Sequence, residues 1–208
     1  MIKRIIFDLD NTIMIWKDNY INALKDTLLY FKVDIKYLDD INNIIENLEN
    51  KYDRISKEVL LDDINNDLEL NLNIDFVDYL FKKQSLLCDI SSDVRDTLKY
   101  LSSKYSLAVL TNYFKEVQEE RLRCADILKY FDDVYGGELF IKPDSKAFLN
   151  ATSNYKVDEC LMIGDNIKID IDGARKLGFK VIAVDYFNKT TSDSYPVIRK
   201  FGDLRKIL

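Results

Sequence analysis

Ile5-Ile6-Phe7-Asp8-Leu9-Asp10-Asn11-Thr12 decides how this chain is read. Its apolar start, Ile5 to Phe7, predicts a short buried strand, and two carboxylates follow where that strand would end. Asp8 and Asp10 are two residues apart, so in an extended chain both side chains fall on one side. Carboxylates that close repel, and one must be protonated or held by a cation. A pair so placed suits a Mg²⁺ site with an acid–base group beside a nucleophile. Taken alone, the string also fits a strand running into a solvated acidic turn.

Later stretches weigh on that choice. Leu107-Ala108-Val109-Leu110 runs into Thr111-Asn112, and Cys160-Leu161-Met162-Ile163 runs into Gly164-Asp165-Asn166, with Asp170 and Asp172-Gly173-Ala174 beyond. Between them lies Phe140-Ile141-Lys142-Pro143-Asp144. Continuous apolar runs suit a parallel sheet covered on both faces. In such a sheet the carboxyl ends of the strands share one edge, where ligands bind. The expected class is therefore α/β, a Rossmann-like parallel sheet core with helices on both faces. Two carboxylates, a hydroxyl, an ammonium and one or two further carboxylates would meet at its edge.

Between the first and second strands the strand pattern stops. Tyr20, Leu24, Leu28 and Phe31 recur at helical spacing, as do Leu38, Ile41, Ile45 and Leu48. Leu60, Ile64 and Leu68 mark a third helix, and Phe76, Val77, Leu80 and Phe81 a fourth. Residues 16–87 thus read as a small all-helical insert, with 1–15 and 88–208 as the α/β core. Helices are expected over 91–104, 115–129, 144–155, 167–177 and 203–208, with Asp144 an N-cap and Gly178 a C-terminal stop. Short strands are expected at 133–135 and 180–184. Lys189-Thr190-Thr191-Ser192-Asp193-Ser194 reads as a mobile loop. No internal repeat or low-complexity segment is visible.

Composition narrows the chemistry. At 208 residues the chain can build one good core and a smaller module. A hydrophobic share of 47% with 32% charged residues is that of a soluble globular protein. The net charge of −6 argues against a nucleic-acid polymer as partner. No apolar stretch approaches membrane-spanning length, and Met1-Ile2-Lys3-Arg4 leads straight into a core strand, so a cytoplasmic protein without a signal peptide is expected. The chain has no histidine, which removes Ser-His-Asp and Cys-His machinery and His-rich zinc sites. Cys88, Cys124 and Cys160 show no ligand spacing, and Cys124 and Cys160 read as small packing residues. Chemistry must run on carboxylates, lysine, hydroxyls and a hard cation.

With these residues in order, the chain resembles the haloacid dehalogenase-like hydrolase superfamily over essentially its whole length. Asp8-Leu9-Asp10-Asn11-Thr12 looks like the first motif, Thr111-Asn112 the second, Lys142-Pro143-Asp144 the third, and Gly164-Asp165 with Asp170 the fourth. The resemblance implies that the helical insert is a cap over the site, where a lid could gate water. It also implies roles. Asp8 would be the nucleophile that forms an aspartyl-phosphate, and Asp10 the acid, then base. Asp8, the Asp10 carbonyl and Asp165 would hold Mg²⁺, with Asp170 fixing a bound water or orienting Lys142. Thr111, the Asn112 backbone and Lys142 would bind the phosphoryl oxygens. Trp16 and Tyr113 flank the motifs as candidate substrate contacts, though aromatic residues at hinges more often pack a lid.

An Asp at position 10 is similar to what phosphatases and sugar phosphomutases carry, whereas dehalogenases lack a carboxylate there because halide leaves without a proton. The implied activity is Mg²⁺-dependent hydrolysis of a small phosphorylated metabolite, a nucleoside monophosphate or sugar phosphate. Thr111 to Gln118 resembles the branch that includes pyrimidine nucleotidases, with Tyr113 where many of those have glycine. A sugar phosphomutase and a non-catalytic phosphate- or metal-binding module are the alternatives. Asp170-Ile171-Asp172-Gly173 fails as a calcium loop, since Lys168 and Phe179 would fall where carboxylates are required. Oligomeric state is left open.

Overall fold

Arg4–Phe7 forms β1, the strand on which the rest of the sheet is laid, in a computed structural model that describes residues 1–15 and 19–208. The other strands are β2 (Ser106–Leu110), β3 (Asp133–Tyr135), β4 (Cys160–Gly164), β5 (Lys180–Val184) and β6 (Val197–Ile198). They join in the order β3-β2-β1-β4-β5-β6, every pairing parallel. β1 lies between β2 and β4, with Phe7 level with Val109 and Ile163. Asp8, Leu110-Thr111 and Gly164-Asp165 therefore leave the sheet side by side.

Alternate residues of each strand face opposite sides, and both sides are covered. Ile5, Phe7, Leu107, Val109, Leu161 and Ile163 pack with Leu98, Leu101, Leu122 and Leu204. Ile6, Ala108, Leu110, Met162 and Ala183 face the other way, onto Ala147, Phe148, Ala151 and Ala174. The helices behind these contacts are α5 (Ser92–Ser102), α6 (Lys115–Cys124), α7 (Ser145–Ala151), α8 (Asp172–Lys176) and α9 (Leu204–Ile207). Each large side chain buried this way contributes roughly 1.5–3 kcal/mol.

Among the described residues, four α-helices stand between β1 and α5: α1 (Asn19–Tyr30), α2 (Leu38–Lys51), α3 (Lys57–Leu68) and α4 (Ile74–Gln84). They share an apolar cluster built from Leu24, Leu28, Ile41, Ile45, Leu60, Ile64, Phe76 and Leu80. Phe114, Val117 and Ile141 enter that cluster from the sheet-bearing part, so the four helices are seated on the start of α6 and the lysine loop.

Several elements depart from the expected bounds. The helix expected over 115–129 stops at Cys124, because Asp126 turns left-handed at φ 54 before a short turn at Leu128–Tyr130. The helix expected over 144–155 ends at Ala151, and Ser153 is left-handed at φ 53. Asp144 does cap its start, accepting from the Lys146 N–H at 2.8 Å. Residues 167–177 begin as a π-helical turn, Ile167–Ile171, before α8, and Gly178 follows at φ 93. β6 was not expected, being only two residues long. Residues 189–194 carry no helix or strand.

The expectation for Cys124 is overturned. Cys124 is exposed rather than packed, and it forms a disulfide with Cys88, 36 residues away. Spacing along the chain could not reveal it, since the pair meets only because α6 runs back past the exit of α4. Cys160 is buried and free in β4, as the apolar run predicts. Trp16, one of the candidate substrate contacts, lies outside the described residues.

Candidate active site

Asp8 is the first residue beyond β1, and its N–H still donates to the Ile163 carbonyl at 2.8 Å. The ladder thus aims its carboxylate out of the sheet edge. The chain then reverses through Asn11, left-handed at φ 62, and the Thr12 hydroxyl donates back to Asp8 Oδ2 at 3.0 Å. Lys142 arrives from the loop after β3. Its Nζ donates to Asp8 Oδ1 and to Asp170 Oδ1, both at 2.7 Å. Burial would discharge this lysine, but the two carboxylates outweigh it and hold its pKa above the ordinary value.

Asp170 comes from the π-helical turn. Asn166 caps that turn, its Oδ1 accepting from the Lys168 and Ile169 N–H groups at 3.1 Å, and its own N–H donates to Asp170 Oδ2 at 3.1 Å. The extra residue of a π turn re-aims a side chain, and such turns recur at functional sites. Gly164 makes room for it: a Cβ there would lie 2.4 Å from Asp170 Oδ2.

Asp8, Asp165 and Asp170 each offer an oxygen within 4.8 Å of the others. Burial, together with Asp8 and Asp170, pushes the Asp165 carboxyl up to about 7. Burial likewise pushes Asp170 up to about 6 despite Lys142. Three crowded carboxylates against one ammonium leave negative charge uncompensated. All the donors are hard oxygens, so the residues fit a small divalent cation such as Mg²⁺.

Asp10 belongs to a different network. Its Oδ1 accepts from Arg121 Nη1 at 2.6 Å and its Oδ2 from Gln118 Nε2 at 2.7 Å. Arg121 also donates to Gln118 Oε1 at 2.7 Å and, through Nε, to the Leu87 carbonyl at 2.8 Å. Its guanidinium lies 5.1 Å from the Tyr20 ring centre. Burial raises the Asp10 pKa against the pull of Arg121, and the net direction is upward. Sequence reasoning missed Gln118 and Arg121. Both sit on the buried face of α6 beside Val117 and Leu122, and their three-residue spacing was the available signal.

The end of the second strand lines the same cavity and carries dense local bonding. Thr111 Oγ1 accepts from the Tyr113 N–H at 3.1 Å and from Gln118 Nε2 at 3.2 Å. Asn112 clamps the lysine loop, its Oδ1 accepting from the Lys142 N–H at 2.7 Å and its Nδ2 donating to the Lys142 carbonyl at 2.9 Å. The same Nδ2 donates to Glu49 Oε2 at 2.7 Å, a partner from α2 that sequence reasoning also missed. Tyr113 lines the site, but its hydroxyl donates to Gln84 Oε1 at 2.8 Å and its ring packs on Tyr20, Phe81 and Phe114. It mainly seats the helical insert.

These groups surround a cavity of about 260 Å³. Asp8, Asp10, Lys142, Asp165 and Asp170 form its floor, and α2 supplies a wall through Ile45, Glu46, Leu48 and Glu49.

A parallel sheet presenting two spaced aspartates, a buried lysine and a further acidic pair at one edge defines a class of hydrolase. The chain belongs to the haloacid dehalogenase-like hydrolase family, whose model matches residues 5–184. It is 29% identical over 196 residues to the provisionally named pyrophosphatase PpaX of Clostridium perfringens, covering 89% of this chain and 85% of that one. It is 34% identical over 106 residues to the phosphoserine phosphatase of Thermus thermophilus, a match spanning 49% of this chain and 43% of the relative. Among solved structures, the magnesium-bound hydrolase YfnB of Bacillus subtilis superposes with a TM-score of 0.80 at 18% identity, over 100% of this chain and 98% of the other, which shows the fold. A 2-haloacid dehalogenase of Pseudomonas syringae pv. Tomato gives 0.75 at 26% identity, over 100% and 98%. Among its curated relatives the chain matches phosphatases, and it is a phosphatase-type hydrolase.

Proposed function

We propose that this hydrolase is Mg²⁺-dependent and cleaves a small phosphate monoester, a nucleoside monophosphate or sugar phosphate, through an aspartyl-phosphate on Asp8. The observation that carries the reading is the Lys142 ammonium, buried and shared at 2.7 Å between Asp8 and Asp170. A fixed cation beside a buried carboxylate is what an anionic phosphoryl group needs in order to approach that carboxylate.

The Asp8 carboxylate attacks phosphorus in line, and the bond to the leaving oxygen breaks. Asp10, with its raised pKa, delivers a proton to that oxygen as it leaves. Asp10 then takes a proton from the water that attacks the phosphorylated Asp8, releasing phosphate and restoring both groups. Gln118 and Arg121 hold the Asp10 carboxylate within this arc, while Lys142, Thr111 and the Asn112 backbone bind phosphoryl oxygens. Asp8, Asp165 and the Asp10 carbonyl would hold Mg²⁺, with Asp170 orienting Lys142, and the ion would supply neutralising charge at the phosphoryl group. Asp10 is also what separates this reading from a dehalogenase, whose leaving halide takes no proton.

Residues 16–87 act in this proposal as a cap, and 1–15 with 88–208 as the catalytic core. The wall that α2 adds to the cavity supports it. No described helix is long and apolar enough to cross a membrane. The phosphorylated-metabolite reading implies work in the cytoplasm.

Phosphate release from a panel of nucleoside monophosphates, sugar phosphates and other small monoesters, with Mg²⁺ and with chelator, tests the proposal. Asp8→Asn is expected to lower turnover at least about 10³-fold while leaving the melting temperature near that of the parent. An active Asp8→Asn protein ends the assignment. Slow net release that a sugar bisphosphate activates would move it to a phosphomutase.

A further inference from the structure

The wall that α2 adds to the cavity carries two carboxylates of its own, which bears on the leaving group. Glu46 and Glu49 follow one another at close to one helical turn along α2, and both line the cavity. Glu49 is placed rather than free, since its Oε2 accepts from Asn112 Nδ2 at 2.7 Å. Asn112 is also the clamp on the Lys142 backbone, so Glu49 stands one side chain away from the phosphoryl-binding lysine. A group leaving phosphorus toward the insert would enter the part of the cavity that Glu49 lines. Glu46 accepts from Asn42 at 2.9 Å, and among the described residues neither glutamate enters an ion pair. Lys142 is the cation among the described lining residues, and Asp8 and Asp170 already share it. Ile45, Leu48 and Ile55 complete the wall with apolar surface that suits a short carbon chain.

We propose that Glu49, with Glu46 beside it, is a specificity-determining residue that favours phosphate monoesters whose leaving group carries an ammonium over those whose leaving group carries a carboxylate. The inference rests on the phosphatase reading and, within small monoesters, ranks an amine-bearing leaving group above a neutral sugar or nucleoside. A carboxylate brought beside Glu49 meets like charge with no described cation to receive it, whereas an ammonium gains a charge-assisted hydrogen bond. Neutral polyol esters fall between.

The test compares kcat/KM of the whole protein with Mg²⁺ for phosphoethanolamine, glycerol 3-phosphate and 2-phosphoglycolate, with 4-nitrophenyl phosphate as a general substrate. The ethanolamine ester is expected to exceed the glycolate ester about tenfold or more, with glycerol phosphate between them. Glu49→Gln keeps an acceptor for Asn112 and is expected to shrink that ratio at least about threefold, chiefly through KM. Glu49→Lys is expected to invert it. A parent protein that prefers the glycolate ester, or a ratio unmoved in both variants, overturns the proposal while release from 4-nitrophenyl phosphate keeps the phosphatase reading intact. Absence of Asp8-dependent release from every ester, 4-nitrophenyl phosphate included, overturns both.

Discussion

Two lysines in this molecule each sit between two carboxylates, and almost nothing else about them is alike. Lys142 at the sheet edge lies 2.7 Å from Asp8 and 2.7 Å from Asp170, with its side chain 2% exposed. Lys57, at the start of α3, lies 2.6 Å from Asp78 on α4 and 2.7 Å from Glu116 on α6, with its side chain 28% exposed. Distance does not separate them; burial does. Asp170 is 1% exposed, while Asp78 and Glu116 are 51% and 53% exposed. Water screens the outer trio, so losing one of its pairs costs little. At the sheet edge the trio is largely out of water, and removing one member leaves the others' charge poorly compensated.

Breaking the inner trio gives the larger effect. Lys142→Met should cost roughly 3–5 kcal/mol of stability at pH 8 without metal, because two buried carboxylates lose their cation. The loss should be smaller at pH 5, where Asp170, already pushed up to about 6, takes a proton in its place. Chemical denaturation at the two pH values measures both terms. Equal losses would mean that Asp170 stays ionised at pH 5 even without its lysine.

That inner trio was largely legible in the sequence, and the outer one was not, for a physical reason. Asp8, Lys142 and Asp170 each follow an apolar run or a turn signal, so the sheet's parallel register sets their meeting place before any packing detail is known. Lys57, Asp78 and Glu116 sit on the polar faces of three helices, where any of many charges could be a neighbour. Arg121 and Gln118 were hidden in the same way: they are polar residues on an expected helix, and their burial depends on how α4 and Leu87 cross it. The four insert helices were visible from their 3.6-residue periodicity, but Glu49's approach to Asn112 depends on the angle at which α2 lies. The Cys88–Cys124 pairing depends on how α4 and α6 cross.

Metal should sharpen the contrast with an intermediate effect. Asp165 and Asp170 bind protons in the folded chain up to about pH 7 and 6, against an ordinary value of 3.8. Between those values the folded state holds more protons than the unfolded one, so metal-free stability falls as pH rises through that window. Mg²⁺ bound by these carboxylates would take the place of those protons, so its stabilisation should grow from pH 5 to pH 8. Thermal melts with Mg²⁺ and with chelator at each pH read this directly. A Mg²⁺ shift that does not change with pH would place the ion away from these carboxylates.

Lys57→Met should give the smallest change, and its smallness is the point. Its two ion pairs are as short as those of Lys142, so a distance-based view predicts an equal loss. Exposed pairs are worth about 0–1 kcal/mol each, and the Lys57 Nζ, 5.2 Å from the Phe81 ring centre, gives way to a methionine side chain that can still contact the ring. The expected cost is therefore about 2 kcal/mol or less, shrinking further in 1 M salt, where the Debye length falls to about 3 Å. Lys142→Met should respond far less to salt, because its partners are shielded from ions as well as from water. A salt-insensitive loss of several kcal/mol at Lys57 would show that the junction between insert and core is drier than its exposure indicates, and that the two lysines differ in position rather than in kind.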